Sequence, residues 1–403
     1  MTMPVPDHVH PSLVTKFDIF QPSRPDEEYF AAWVRFQKEA KSQLLWSPLH
    51  GGHWIATDAE LVMKLYEDSD TMSSRRPGIP VFDRDIDMGA LSRDPPEHKA
   101  FRKPLNFSLS PARIRSMEQF IRAAVRELID HLIAKGSCEF ISEFADVIPL
   151  NVFISMVDLP KSDLDMLAGW ARAITHPTAA ATSDGPAISR EQVMDALGNY
   201  LRPYIAQRRL QPGSDAISEV VNSLVDGRPM TDAEAIGACT HLMIAGLDTV
   251  ASFLGFMMMF LAESPSHRQE LVSNPAIMSG AIQEMIRRFP LTVNSRIARD
   301  EQIISGIRIK QGDVIALPTM LYNLDERKFP DPLSINFARK VNSQCTFGNG
   351  AHRCAGASLA RLEIEIVLQE WLARIPNFRL APQKLDVVGG IVASLRELHL
   401  IWQ

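Results

Sequence analysis

Cysteine is scarce. Four occur in 403 residues, Cys138, Cys239, Cys345 and Cys354, and none forms a CxxC pair or a His/Cys cluster with zinc spacing. Neither a disulfide framework nor a zinc site is expected. The first three thiols read as small buried apolar side chains in a reducing cytoplasm. A basic excess is also missing: the net charge is −6, which argues against a nucleic-acid partner. The first twenty residues carry no basic cluster ahead of an apolar run, so no signal peptide or anchor is expected. With 46% hydrophobic and 22% charged residues, the chain has the composition of a globular protein long enough to bury a large core without staples.

Apolar runs of membrane length are absent but for one, Leu242 to Ala262, whose only formal charge is Asp248. A carboxylate near its middle and no flanking basic cluster suit a helix through the centre of a globular protein rather than a membrane span. Repeats, low-complexity tracts and polar linkers are missing too, so residues 1–403 read as one domain. Helical periodicity dominates. It predicts helices at Glu27–Ala40, Asp58–Glu67, Pro95–Phe101, Pro111–Lys135, Asp163–Ala173, Arg190–Arg209, Thr231–Glu263, Pro265–Ser273, Pro275–Arg288 and Ala357–Ala373. Strands are expected at His53–Thr57, in a hairpin over Gln302–Lys310, at Asp313–Thr319, and as a last pair at Leu385–Val387 and Leu398–Trp402. The fold class is mainly α with a small β region. The small-residue segment Thr175–Ser189 reads as a mobile surface loop that could serve as an access lid.

Against this background one stretch stands out, "TFGNGAHRCAGASLARLEIEI" from Thr346 to Ile366. Gly348, Gly350 and Gly356 allow tight turns and close approach to a flat partner. Cys354 lies just before the helix expected from Ala357, where free N–H groups and the helix dipole favour a thiolate. A thiolate on such a loop is a metal ligand or a nucleophile. The string Phe347-x-x-Gly350-x-x-x-Cys354-x-Gly356 resembles the haem-ligand loop of the cytochrome P450 family. Glu284-x-x-Arg287 and, some fifty residues later, Arg339 in "FARK" resemble that family's buried structural network. "AGLDT", Ala245–Thr249, resembles its oxygen-binding groove, where Gly246 costs about 1 kcal/mol in a helix interior unless something needs the close approach.

The resemblance covers nearly the whole chain and is nearest to the soluble, camphor-oxidising bacterial members. It implies a triangular, mostly helical prism with a long central oxygen-binding helix, and a haem b cofactor. It also implies NADH-derived electrons delivered by a ferredoxin reductase and a [2Fe–2S] ferredoxin, with O2 and a small apolar cyclic substrate. A cytoplasmic monomer without nucleic-acid or membrane partner follows from the same likeness. Cys354 is then the ligand to iron. His98, Arg102, Arg296 and His352 would hold the haem propionates, while Ala245, Gly246, Phe347, Gly348 and Gly356 would border the haem. Asp248 and Thr249 would hold oxygen and relay protons. Glu284, Arg287 and Arg339 would be structural.

The substrate side departs from that group. Its camphor-oxidising members orient a ketone with a tyrosine eight residues before "DPPE". Counting back from Asp94 reaches Ile86, and no tyrosine lies between Tyr66 and Tyr200. His241 stands one turn before Ala245 as a new polar handle. Leu91, Thr175, Ile244, Thr292, Asn294, Ile391 and Val392 match further pocket positions. These changes point to hydroxylation of a terpenoid or norisoprenoid ketone of the ionone type. Camphor hydroxylation proper and a non-catalytic haem sensor are the alternatives. An enzyme that uses peroxide directly fits less well, because such relatives generally lack the acid–alcohol pair that this chain carries.

Overall fold

The computed structural model describes residues 2–176, 189–246 and 248–402. Its largest sheet joins the two ends of the chain. Five strands run in the order Leu44–Ser47, His53–Ala56, Val314–Pro318, Val293–Ala298, Met72–Ser73. His53–Ala56 pairs antiparallel with Leu44–Ser47, placing Trp46 opposite Trp54, and parallel with Val314–Pro318. Every residue of the first two strands is buried, the pattern of strands covered on both faces rather than one. A second sheet sets His399–Trp402 between Phe378–Leu380 and Ser137–Glu139.

The helices build the rest. Most of the expected ones occur within about two residues of their predicted ends, a deviation typical of frayed termini. Glu97–Ser108 is longer than expected and starts later, because Pro95 and Pro96 remain outside it. Leu44–Ser47, Val147–Val157 and Ala216–Val221 were not foreseen. Val147–Val157 is apolar nearly all round and buried, so it carries no amphipathic period to detect. The last expected strand pair is corrected: Val387–Val388 pairs with Ser394–Leu395, and His399–Trp402 pairs elsewhere. The expected loop over Thr175–Ser189 lies almost wholly outside the described residues, and Thr175 itself ends the helix Leu164–Thr175.

The long central helix runs over Asp232–Glu263 as expected, with a local distortion at Asp248 (φ −124°, ψ −34°) between the stretches Asp232–Gly246 and Thr249–Glu263. Its apolar side chains are largely buried within the protein, as a core element requires. One core cluster gathers the large sheet, Thr249–Glu263 and the helix Ala357–Arg374, which packs along Pro111–Ile133. A second gathers Val147–Val157, Arg190–Leu210 and Asp232–Gly246. The distortion falls where these two clusters meet.

Candidate active site and cofactor cradle

The loop that carries Cys354 is held from behind. Glu284 and Arg287, one helical turn apart on Met278–Arg288, are fully buried and paired through both carboxylate oxygens at 2.7 and 2.9 Å. The Arg339 Nε donates to the same carboxylate at 2.9 Å. The remaining Arg287 donors reach the carbonyls of Asn323, Pro332 and Ser334. A buried charge pair is tolerable only when its other donors are satisfied, and here they are. Asn323 then receives the Cys345 amide at 2.7 Å, and Thr346 donates to the carbonyl of Ile286 at 3.0 Å. The network thus fixes the start of the cysteine loop.

The loop itself folds on its glycines. Gly348 and Gly350 both adopt positive φ, and a Cβ on Gly350 would lie 2.5 Å from the carbonyl oxygen of Tyr66. No other residue fits there. The Cys354 amide donates to the carbonyl of Phe347 at 2.9 Å, and the helix starts at Ala357. The cysteine opens onto an internal cavity bordered by Phe347, Gly348, Gly356, Ala245, Gly246 and Thr249. The cavity exposes the residue, yet surrounding protein still excludes bulk water. Burial therefore pushes the thiol above its ordinary value, against the opposing amides of Gly356 and Ala357 and the charges of Arg102 and Arg361. A cation bound at the sulfur would favour the thiolate further.

A second group of side chains converges on the same cavity. The His98 and His352 rings lie 4.4 Å apart. The Nε2 atoms of both, and Nη2 of the buried Arg296, have no hydrogen-bond partner among the described residues. Arg102 is anchored by Asn106 and the Arg353 carbonyl, and with Arg296 and His352 it borders the cavity. Burial, Arg296, His98, Arg102 and His241 together push His352 down to about 2; burial and the charges of Arg102 and His98 push His241 down to about 4. These rings are neutral donors beside two guanidinium groups. Buried donors left over in a cation-rich nest fit bound carboxylates. A thiol below and carboxylate-hungry donors at one edge are what a haem with two propionates requires, so the residues present fit that group.

On the other side, the acid and alcohol separate. Thr249 borders the cavity, whereas Asp248 turns away from it. The Asp248 carboxylate accepts from Thr175 Oγ1 at 2.8 Å and meets His176 Nε2 at 3.2 Å. Burial would raise its pKa, but His176, Thr175 and the charge of Arg172 hold it below the ordinary carboxylate value. His176 was not singled out in the sequence, and nothing in its local pattern marks it. Gly246 lies against Phe153, where a Cβ would come within 3.1 Å, so packing as well as the cavity explains this glycine.

Of the expected substrate positions, Leu91, Thr175, His241, Ile244, Thr292, Asn294 and Ile391 border the cavity. Ile86 packs beside Phe82 and Met88 without reaching it, and Val392 is absorbed into the core opposite Thr292. Asn294 spends its amide on Tyr66 Oη at 2.8 Å and on Thr292 Oγ1 at 3.3 Å. Phe82, Met88 and Glu363 also border the cavity and were missed. Burial pushes Glu363 up to about 8 and leaves its Oε2 unpartnered.

The family profile described as Cytochrome P450 matches residues 185–389. A probable cytochrome P450 127A1 from Sinorhizobium fredii (strain NBRC 101917 / NGR234) is 33% identical over 422 residues, covering 100% of this chain and 97% of the relative. The crystal structure of CYP101J2 superposes with a TM-score of 0.89 at 34% identity, with full coverage of both chains. That of CYP101C1 gives 0.88 at 35% identity, covering 99% of this chain and all of the other.

Proposed function

The chain belongs to the cytochrome P450 family and is a monooxygenase of that family, and we propose that it hydroxylates a small cyclic terpenoid or norisoprenoid ketone of the ionone type. The supporting observation is the cavity wall. Phe82, Met88, Leu91, Ile174 and Ile391 present apolar surface, and the charged guanidinium groups on the same cavity, Arg102 and Arg296, belong to the carboxylate nest. An apolar ring system fits such a wall, and a single oxygen needs one donor. His241, which borders the cavity one turn before Ala245, supplies that donor.

Bound through Cys354, the haem supplies the oxygen-activating chemistry. The chain's residues position and protonate. His98, Arg102, Arg296 and His352 take the propionates. The Thr249 hydroxyl donates within the cavity, and Asp248 feeds it protons from the cluster with Thr175 and His176. Electrons come from NADH through a ferredoxin reductase and a [2Fe–2S] ferredoxin, and the enzyme works as a cytoplasmic monomer.

A spin-state titration with camphor and β-ionone, on wild type and His241→Leu, tests this reading. Tighter β-ionone binding, weakened about tenfold or more in His241→Leu, is expected, since a buried carbonyl that loses its donor costs about 1–3 kcal/mol. Tight camphor binding with coupled hydroxylation would favour camphor hydroxylation instead. A spectrum unresponsive to any organic compound would favour a haem sensor.

A further inference from the structure

Met88 and Leu91 form part of the cavity wall, yet they sit on no long helix. Met88 precedes the single 3-10 turn Gly89–Ser92 and Leu91 lies within it. A wall built on so short an element needs an external seat, and the structure contains one.

Arg93 grips the turn from inside. Its fork meets both oxygens of Asp87 at 2.5 and 2.7 Å, its Nη1 donates to the Gly89 carbonyl at 2.8 Å, and its Nε reaches Glu97 at 3.0 Å. Its guanidinium lies over the Phe101 ring, 3.6 Å from the centroid. Asp87 in turn receives the Gly89 amide at 2.8 Å. The turn is thereby a closed unit around one bidentate ion pair.

That unit rests directly on the helix Asp232–Gly246. A Cβ on Gly237 would stand 2.4 Å from Asp87 Oδ1 and 2.7 Å from the Asp87 carbonyl oxygen. From the other side, a Cβ on Gly89, which has φ +56°, would stand 2.7 Å from the Ala238 Cα. Two glycines, one on each partner, bring turn and helix to backbone contact. His241 and Ile244 follow Gly237 by one and two turns on the same helix, and both border the cavity. The height of the turn over Gly237 therefore sets the gap between Met88 and Leu91 on one side and His241 and Ile244 on the other.

We infer that Gly237, Asp87 and Arg93 are positioning residues for substrate size: the glycine seat and the ion pair hold the Met88–Leu91 wall close to the helix and restrict the cavity to compact rings. The inference rests on the reading of this cavity as the substrate site, but not on which substrate fills it.

Azoles of graded size test it, because imidazole and 4-phenylimidazole ligate the iron of a haem-thiolate protein whatever its physiological substrate. Haem-loaded wild type, Gly237→Ala, Asp87→Asn and Arg93→Lys are titrated with both, and Gly280→Ala is the control, since a Cβ there meets only ordinary contact at 3.7 Å. In Gly237→Ala the lifted wall should shift the affinity ratio about tenfold towards 4-phenylimidazole, the size of effect that pocket-volume changes produce. Asp87→Asn and Arg93→Lys should shift it in the same direction by less, and Gly280→Ala not at all. Ratios within twofold of wild type in haem-replete Gly237→Ala would overturn the inference. If Gly237→Ala takes up no haem, unchanged ratios in both Asp87→Asn and Arg93→Lys overturn it equally. A wild type that binds the azoles but no terpenoid would refute the substrate reading and leave this one standing.

Discussion

The Cys354 loop and the Met88–Leu91 wall border the same cavity and are held by opposite means. Behind the loop lies a fully buried ionic network, with each Arg287 donor matched to a carboxylate or carbonyl. The wall is held by the partly exposed ion pairs of Arg93 with Asp87 and Glu97 and by two glycine contacts. A network with all its bonds made permits one geometry, since any shift strands a buried charge. A seat made of van der Waals contact and partly exposed pairs can settle at another height. The cofactor side is therefore rigid by construction and the substrate side adjustable.

Cutting the network should give the largest effect. Arg287→Ala leaves Glu284 buried with Arg339 and the Asn336 amide as its remaining partners, and breaking such a pair costs about 3–5 kcal/mol. We expect the variant to lose most of its haem uptake and to melt well below wild type, measured by Soret absorbance and calorimetry. A stable, haem-replete variant would show that the network does not hold the loop.

The next effect concerns the distortion in the central helix at Asp248. Asp248→Asn should slow turnover by about 10²-fold, the scale of a lost acid–base group, without weakening substrate binding. Thr249→Ala should instead keep NADH consumption, in the presence of its redox partners, and divert it to hydrogen peroxide. Full coupling in Thr249→Ala would contradict the proton role given to its hydroxyl.

A pH effect then separates the empty cradle from the filled one. His352 is held down to about 2, His241 to about 4 and His53 to about 3, against a reference of 6.5, by burial first and by neighbouring positive groups second. Below that reference the unfolded chain binds protons that the folded one refuses, so stability falls as pH drops from about 6.5. Glu363 and Asp146, raised to about 8 and about 6 chiefly by burial, act the other way and cost stability as pH rises past their ordinary values. Propionates would offset the cations around His352 and His98 but not those near His53. Melting curves from pH 8 to 5 should therefore fall more steeply for haem-free than for haem-loaded protein. Parallel curves would mean that the nest does not receive carboxylates.

The smallest effect tests the wall itself. Leu91→Ala should weaken β-ionone by about 1–2 kcal/mol through lost contact, whereas Ile86→Ala should leave its affinity within twofold of wild type, because only Leu91 borders the cavity. An equal loss in both would mean that the turn moves when substrate binds.

Much of this site was legible in the chain. Helical period, capping and proline placement located most helices, since those signals are local. The glycines around Cys354 pointed to tight turns for the same reason, and Gly350 does need positive φ. The apolar stretch around Asp248 announced a core element, but not its distortion. The distortion there depends on what the Asp248 side chain meets across the packing, here Thr175 and His176.

Sequence by itself determined the cysteine loop, the mainly helical class and the chemical kinds of residue available, because each depends on spacing along one segment. Tertiary structure alone decided which of them meet. It paired Leu44–Ser47 with His53–Ala56 and set that hairpin beside Val314–Pro318, some 260 residues on. It also turned Asp248 from the cavity onto His176 and seated Asp87 on Gly237. Each of these joins residues far apart in the chain through burial and satisfied hydrogen bonds, and no local pattern records a bond whose two ends lie on different elements.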